Sequence, residues 1–90
     1  MLLKNLYFQK SNGEHLLIQE NISNEKEALS LISEFLKRHN YNSYYTRMWY
    51  SGETAIFDVG SWSEFFKFAK PEDISGVIGI EKDFIDKEKK

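Results

Sequence analysis

Ninety residues with 41% hydrophobic and 16% aromatic content make one small globular domain with a single modest core, too apolar for disorder. There is no cysteine, which excludes a disulfide scaffold, a thiolate metal site and a cysteine nucleophile, and points to a reducing, cytoplasmic setting. A net charge of −2 with no strongly basic block argues against a dedicated nucleic-acid binder. No apolar run reaches the roughly 20 residues of a membrane span, so no membrane partner is expected.

In chain order, Leu3 to Lys10 is rich in strand formers, with Leu6 and Phe8 on one face and Tyr7 on the other. The following Ser11-Asn12-Gly13-Glu14 predicts a tight hairpin turn whose positive backbone angles fall on Asn-Gly. His15 to Ile22 is the returning strand, with Leu16, Ile18 and Ile22 in phase.

A helix comes next, capped by Ser23 or Asn24, with Glu27 placed as in a capping box. Glu25 and Glu27 in its first turn and Lys37 and Arg38 in its last match the helix dipole. Ala28, Leu29, Ile32, Phe35, Leu36 and His39 recur at spacings of three and four, forming one apolar stripe. Asn40 or Asn42 is expected to end it.

Ser43 to Tyr50 reads as a strand, Ser51-Gly52 as a turn and Thr54 to Val59 as its return. Two readings of the next stretch compete. Gly60-Ser61 suits a II′ turn leading into a strand over Trp62 to Phe68, and three phenylalanines in four residues favour it. Ser61 and Glu64 alternatively form a capping box opening a short helix. Pro71-Glu72-Asp73 is a turn, Val77 to Ile80 a short edge strand, and 81–90 a charged end anchored by Phe84 and Ile85. Residues 1–70 thus form an α+β domain, a small antiparallel sheet with one main helix packed on one face, in the order β-β-α-β-β-(β or short helix). Residues 71–90 add an edge segment and a charged tail, either part of the same domain or mobile.

Of the fourteen aromatic residues, ten fall between Tyr41 and Phe68. Strands alternate faces, so one member of each pair Tyr44/Tyr45, Trp49/Tyr50 and Phe65/Phe66 is expected to point away from the helix. An exposed aromatic strip marks an interaction surface, unless the C-terminal segment folds back and covers it. The expected binding residues are Tyr45, Arg47, Trp49 and Trp62, since Trp, Tyr and Arg dominate binding hot spots. The expected partner is another protein, or a second copy of the chain in a homodimer.

Single-stranded nucleic acid stacking on the same aromatics is an alternative that lacks a basic groove. A structural virion component is another. Arg47 is more naturally paired with Asp58 or Glu53. No phosphate loop, metal-ligand spacing or nucleophile motif is present, so neither cofactor nor metal is expected and the chain does not read as an enzyme. Asp58, inside an apolar strand, is a candidate buried acid with a raised pKa that would need His39 nearby. Its more ordinary role is to bond the Gly60-Ser61 turn.

Tyr44-Tyr45-Thr46-Arg47, the stretch Asp58–Phe66 and the helix over 22–36 together resemble small uncharacterised proteins of phages and prophages of Gram-positive bacteria. The resemblance implies a phage accessory protein acting in the host cytoplasm, and brings no functional residues with it.

Overall fold

The computed structural model describes residues 3–39, 46–60 and 64–81. Two strands, β1 (Lys4–Gln9) and β2 (His15–Ile22), precede the helix α1 (Glu25–Arg38). Then come β3 (Arg47–Ser51), β4 (Thr54–Asp58) and β5 (Phe65–Ala69). A single 3-10 turn (Pro71–Asp73) leads into β6 (Val77–Ile80).

The β1–β2 hairpin closes with Lys10 N–H on the Glu14 carbonyl and Gly13 N–H on the Lys10 carbonyl. Only Gly13 has a positive φ there, +91°, so the turn is a three-residue loop ending in a left-handed glycine. The expected tight turn with positive angles at both Asn12 and Gly13 is corrected accordingly. Asn12 instead accepts the Glu14 backbone N–H through its side chain. Near the other end of the hairpin Asn21 sits at φ 59°, where the β1–β2 register slips. Asn5 holds this bulge by accepting the Asn21 N–H, and its amide donates to the Tyr7 hydroxyl.

Asn24 caps α1: its side chain accepts the Glu27 N–H, while Glu27 reaches back to the Ser23 N–H and hydroxyl. Free backbone donors at a helix start need such acceptors. Replacing Asn24 by alanine is expected to cost about 1 kcal/mol, read as a lower denaturant midpoint at unchanged slope. The helix buries Ala28, Ile32, Phe35 and Leu36. Leu29, expected in this stripe, is exposed, and Leu31 packs against the core in its place. His39 ends the helix and stacks on Phe35 at 4.3 Å between ring centroids; the expected stop at Asn40 or Asn42 lies outside the described residues.

The strands form one sheet in the order β3-β4-β5-β1-β2-β6. Every pairing is antiparallel except β2 with β6, which is parallel. The expected all-antiparallel sheet is therefore corrected to a mixed one, and its sixth strand belongs to the body of the domain. The choice left open after Gly60 resolves to a strand over Phe65–Ala69; residues 61–63 lie outside the description.

The parallel pairing has an unusual cause. β5 and β6 run in the same direction with β1 and β2 between them, and parallel strands joined directly normally need a crossover of a dozen or more residues, yet Lys70–Gly76 makes this connection in seven. It crosses diagonally over β1 and β2. From Ala69 to Val77 the chain takes eight steps, three of them in the 3-10 turn at about 2.0 Å and the rest extended at about 3.3 Å, a reach of roughly 22 Å that suffices for three strand spacings of about 4.8 Å and the shift along the strands. We call this segment the strap.

Alternation assigns the faces. Leu6 and Phe8, Ile18, Ala55 and Phe57, and Phe66 and Phe68 meet α1 in the main core. Asn5 and Tyr7, His15, and Ala69 point the other way and are still buried. The strap is bound on this face at His15: its Nδ1–H donates to the Ser75 carbonyl at 2.8 Å, and its backbone N–H to the Gly76 carbonyl. The C-terminal segment thus folds back over part of the second face.

Candidate binding surface

The strap covers only the β1–β2 side of the second face. Beyond it, β5, β4 and β3 present Phe65 and Lys67, Ile56, and Arg47 and Trp49 by simple alternation. On the edge strand β3 every residue is exposed. Met48, Trp49 and Tyr50 are 44%, 42% and 46% exposed, unusual for three consecutive large apolar side chains.

Tyr50 and Met48 lie on the helix side. The Tyr50 hydroxyl donates to the Glu25 carboxylate, and the Lys4 ammonium sits 5.9 Å from its ring centroid. Trp49 lies on the second face, opposite Ile56 across the β3–β4 ladder and edge-on to Phe65 at 6.4 Å. Two aromatics and an isoleucine therefore form a partly exposed apolar platform.

Arg47 flanks this platform. Its guanidinium donates to Asp58 at 2.9 Å, as expected from the sequence. Asp58 also accepts the Gly60 N–H at 2.9 Å, which ties it to the Gly60 turn where φ is +97°. The Arg47 hydrogen bond first, and the Gly60 N–H second, hold the Asp58 carboxyl below its ordinary pKa. The expectation of a raised pKa is corrected. Both of its oxygens are engaged in structural contacts, and His39 is not among its partners. His39 instead stacks on Phe35 and lies 3.9 Å from the Glu81 carboxylate.

A groove of about 450 Å³ runs beside the platform, between the β3–β4 turn and the strap. Ile56 and Lys67 form its floor; Thr54 and Glu53, Lys70 and Ile74 stand around it. The turn that shapes one end is a two-residue loop, Gly52-Glu53. Gly52 has φ +64° and Glu53 no positive angle, the sign pattern of a II′ hairpin turn. Glu53 reaches across to Lys70 at 2.6 Å, and this contact lowers the Glu53 pKa and raises that of Lys70.

Of the residues expected to bind, Arg47 and Trp49 stand together on this face, and Tyr45 and Trp62 lie outside the described residues. Lys67 and Ile56 were missed by sequence reasoning. The alternation of Phe65-Phe66-Lys67-Phe68-Ala69 carried the signal: a lysine between two core phenylalanines must lie on the opposite face. No cluster of three or more His, Asp or Glu side chains suited to a metal occurs among the described residues. Nor is any described helix long and apolar enough to cross a membrane. The chain matches no protein-family model, no curated protein and no solved structure.

Proposed function

We propose that this chain is a non-enzymatic binding module that docks another protein on the second face of its sheet, across β3, β4 and β5. The observation that carries this reading is Trp49: a tryptophan held edge-on to Phe65 and opposite Ile56, yet 42% exposed. Tryptophan and arginine at the centre of a patch supply most of the energy of protein interfaces, and Arg47 stands on the same strand face. The strap bounds the platform on one side, so a partner has a fixed edge against which to seat. A role as a phage accessory protein, implied by the resemblance of Tyr44–Arg47, Asp58–Phe66 and the helix over 22–36, is part of this proposal and rests on that resemblance alone.

The test is capture of a partner from host lysate together with light scattering after size exclusion, using wild type, Trp49→Ala and Leu29→Ala. Leu29 is an exposed apolar residue on the helix and serves as the control. Trp49→Ala is expected to weaken capture by about 30-fold or more, the loss of a hot spot of about 2 kcal/mol, with circular dichroism unchanged. A wild-type dimer that Trp49→Ala converts to monomer would identify the partner as a second copy. Equal capture by both variants would overturn the reading, as would a wild-type monomer that captures nothing.

A further inference from the structure

The groove beside the platform contains two lysines in different circumstances. Lys70 is neutralised: Glu53 lies 2.6 Å from it, and Asp73 and Glu72 add their charge from the strap. Lys67 has no such company. It sits in mid-strand between Tyr7 of β1 and Ile56 of β4. Burial alone lowers its pKa, with no carboxylate among the described residues acting to restore it. Its charge is felt instead by His15 of β2, whose own proton affinity it reduces. A half-buried lysine with no counter-ion among the described residues is an incomplete arrangement, because a charge partly removed from water needs a partner to offset the loss.

We infer that the groove is a carboxylate site, in which Lys67 receives an acidic side chain of the protein docked on the adjacent platform. This rests on the binding-module reading above and adds the chemistry of the partner: an aspartate or glutamate next to the segment that covers Trp49. The lining is neutral before a ligand arrives, with two positive charges from Lys67 and Lys70 and two negative ones from Glu53 and Asp73. Glu53 and Asp73 both act on Lys70, so among the described residues Lys67 is the lining cation that faces an added monoanion. A phosphate dianion would set a second negative charge against Glu53 and Asp73. The hydroxyls of Ser51 and Thr54 are the further donors lining the groove. Its volume, about 450 Å³, admits a glutamate side chain with the backbone that carries it.

The experiment has two arms. In the first, N-acetylglutamate N-methylamide, its glutamine analogue and inorganic phosphate are titrated into the protein and followed by amide chemical shifts and by the Lys67 side-chain signals. The glutamate compound is expected to give saturable shifts at Thr54, Ile56, Lys67 and Lys70, with at least about tenfold preference over glutamine. Lys67→Met should abolish them while keeping a dispersed, folded spectrum. Shifts spread over all lysines, shifts that survive in Lys67→Met, or tighter binding of phosphate would each overturn the assignment.

In the second arm the partner captured by wild type is tested against Lys67→Met and Trp49→Ala. Loss of about tenfold or more in both variants supports the site. Loss in Trp49→Ala alone overturns the carboxylate site and leaves the platform standing; no loss in either overturns the platform itself.

Discussion

Phe66→Ala is expected to leave the protein at or near the edge of folding, whereas Phe65→Ala, its neighbour, is expected to be nearly silent. Phe66 is 1% exposed and sits at the junction of the aromatic core, with its ring 5.2 Å from both Phe8 and Phe35. Truncating such a phenylalanine removes its burial and leaves a cavity, at a cost of about 3–5 kcal/mol. A domain of this length has roughly 5–13 kcal/mol in total, so that loss is a large share of it. At about 4–8 °C per kcal/mol the melting temperature should fall by at least about 12 °C. Phe65 faces the other way, half-buried, and its truncation should cost under about 1 kcal/mol because it collapses no core. Thermal melts of the two variants followed by circular dichroism decide it; equal effects would mean that β5 does not alternate as described.

That contrast also explains why so much of the fold was legible in the residues. Leu6 and Phe8, Ile18, Phe66 and Phe68 keep period two, and Ala28, Ile32, Phe35 and Leu36 keep the helical period, so faces and elements follow from local pattern. Asn24 and Glu27 mark the helix start because capping is local as well. What stayed hidden depends on distant parts of the chain. Val77 to Ile80 was recognisable as an edge strand, but its parallel partner, β2, follows from the path of the strap. That path is set where Pro71 turns the chain after Ala69, and no pattern in Val77–Ile80 records it. The same cause hid the counter-ion state of Lys67: Lys70 takes Glu53 only because the β3–β4 turn and the strap meet in space. Trp49 and Arg47 were accessible to sequence reasoning because their residue types and alternation suffice. Lys67 was accessible by alternation too, but nothing in its own strand told that it would have no carboxylate partner among the described residues.

Lowering the pH through 6.5 is expected to loosen the strap, and His15 is the residue that decides it. The His15 ring is buried between the Tyr7 ring of β1, which it meets edge-on at 6.4 Å, and the Ser75 carbonyl of the strap, with Lys67 of β5 the charge acting on it. Its Nδ1–H is used by Ser75, and its buried Nε2 has no hydrogen-bond partner among the described residues. Protonation would put a second N–H and a charge where no acceptor waits and a lysine stands close. Burial first and Lys67 second therefore lower the His15 pKa from 6.5, against a smaller opposing effect of Ser75. The unfolded chain takes up its proton near 6.5 and the folded one only at lower pH, so below 6.5 the unfolded state binds more protons and stability falls. Within that window stability falls as the pH falls, and above 6.5 the contribution is fully present. His15→Asn keeps a donor for Ser75 and cannot titrate, so the difference between it and wild type isolates this residue from His39, the only other histidine. The amides to follow by hydrogen exchange are His15, bonded to the Gly76 carbonyl, and Glu81, bonded to the Leu17 carbonyl, since both report the docking of the strap and β6. Wild type should lose protection at these two amides between pH 7.5 and 5.5 and His15→Asn should not. Identical pH profiles would show that the buried ring does not govern the strap. Because the strap also forms one wall of the Lys67 groove, a wild-type protein that loosens there in mild acid should lose its carboxylate preference over the same interval.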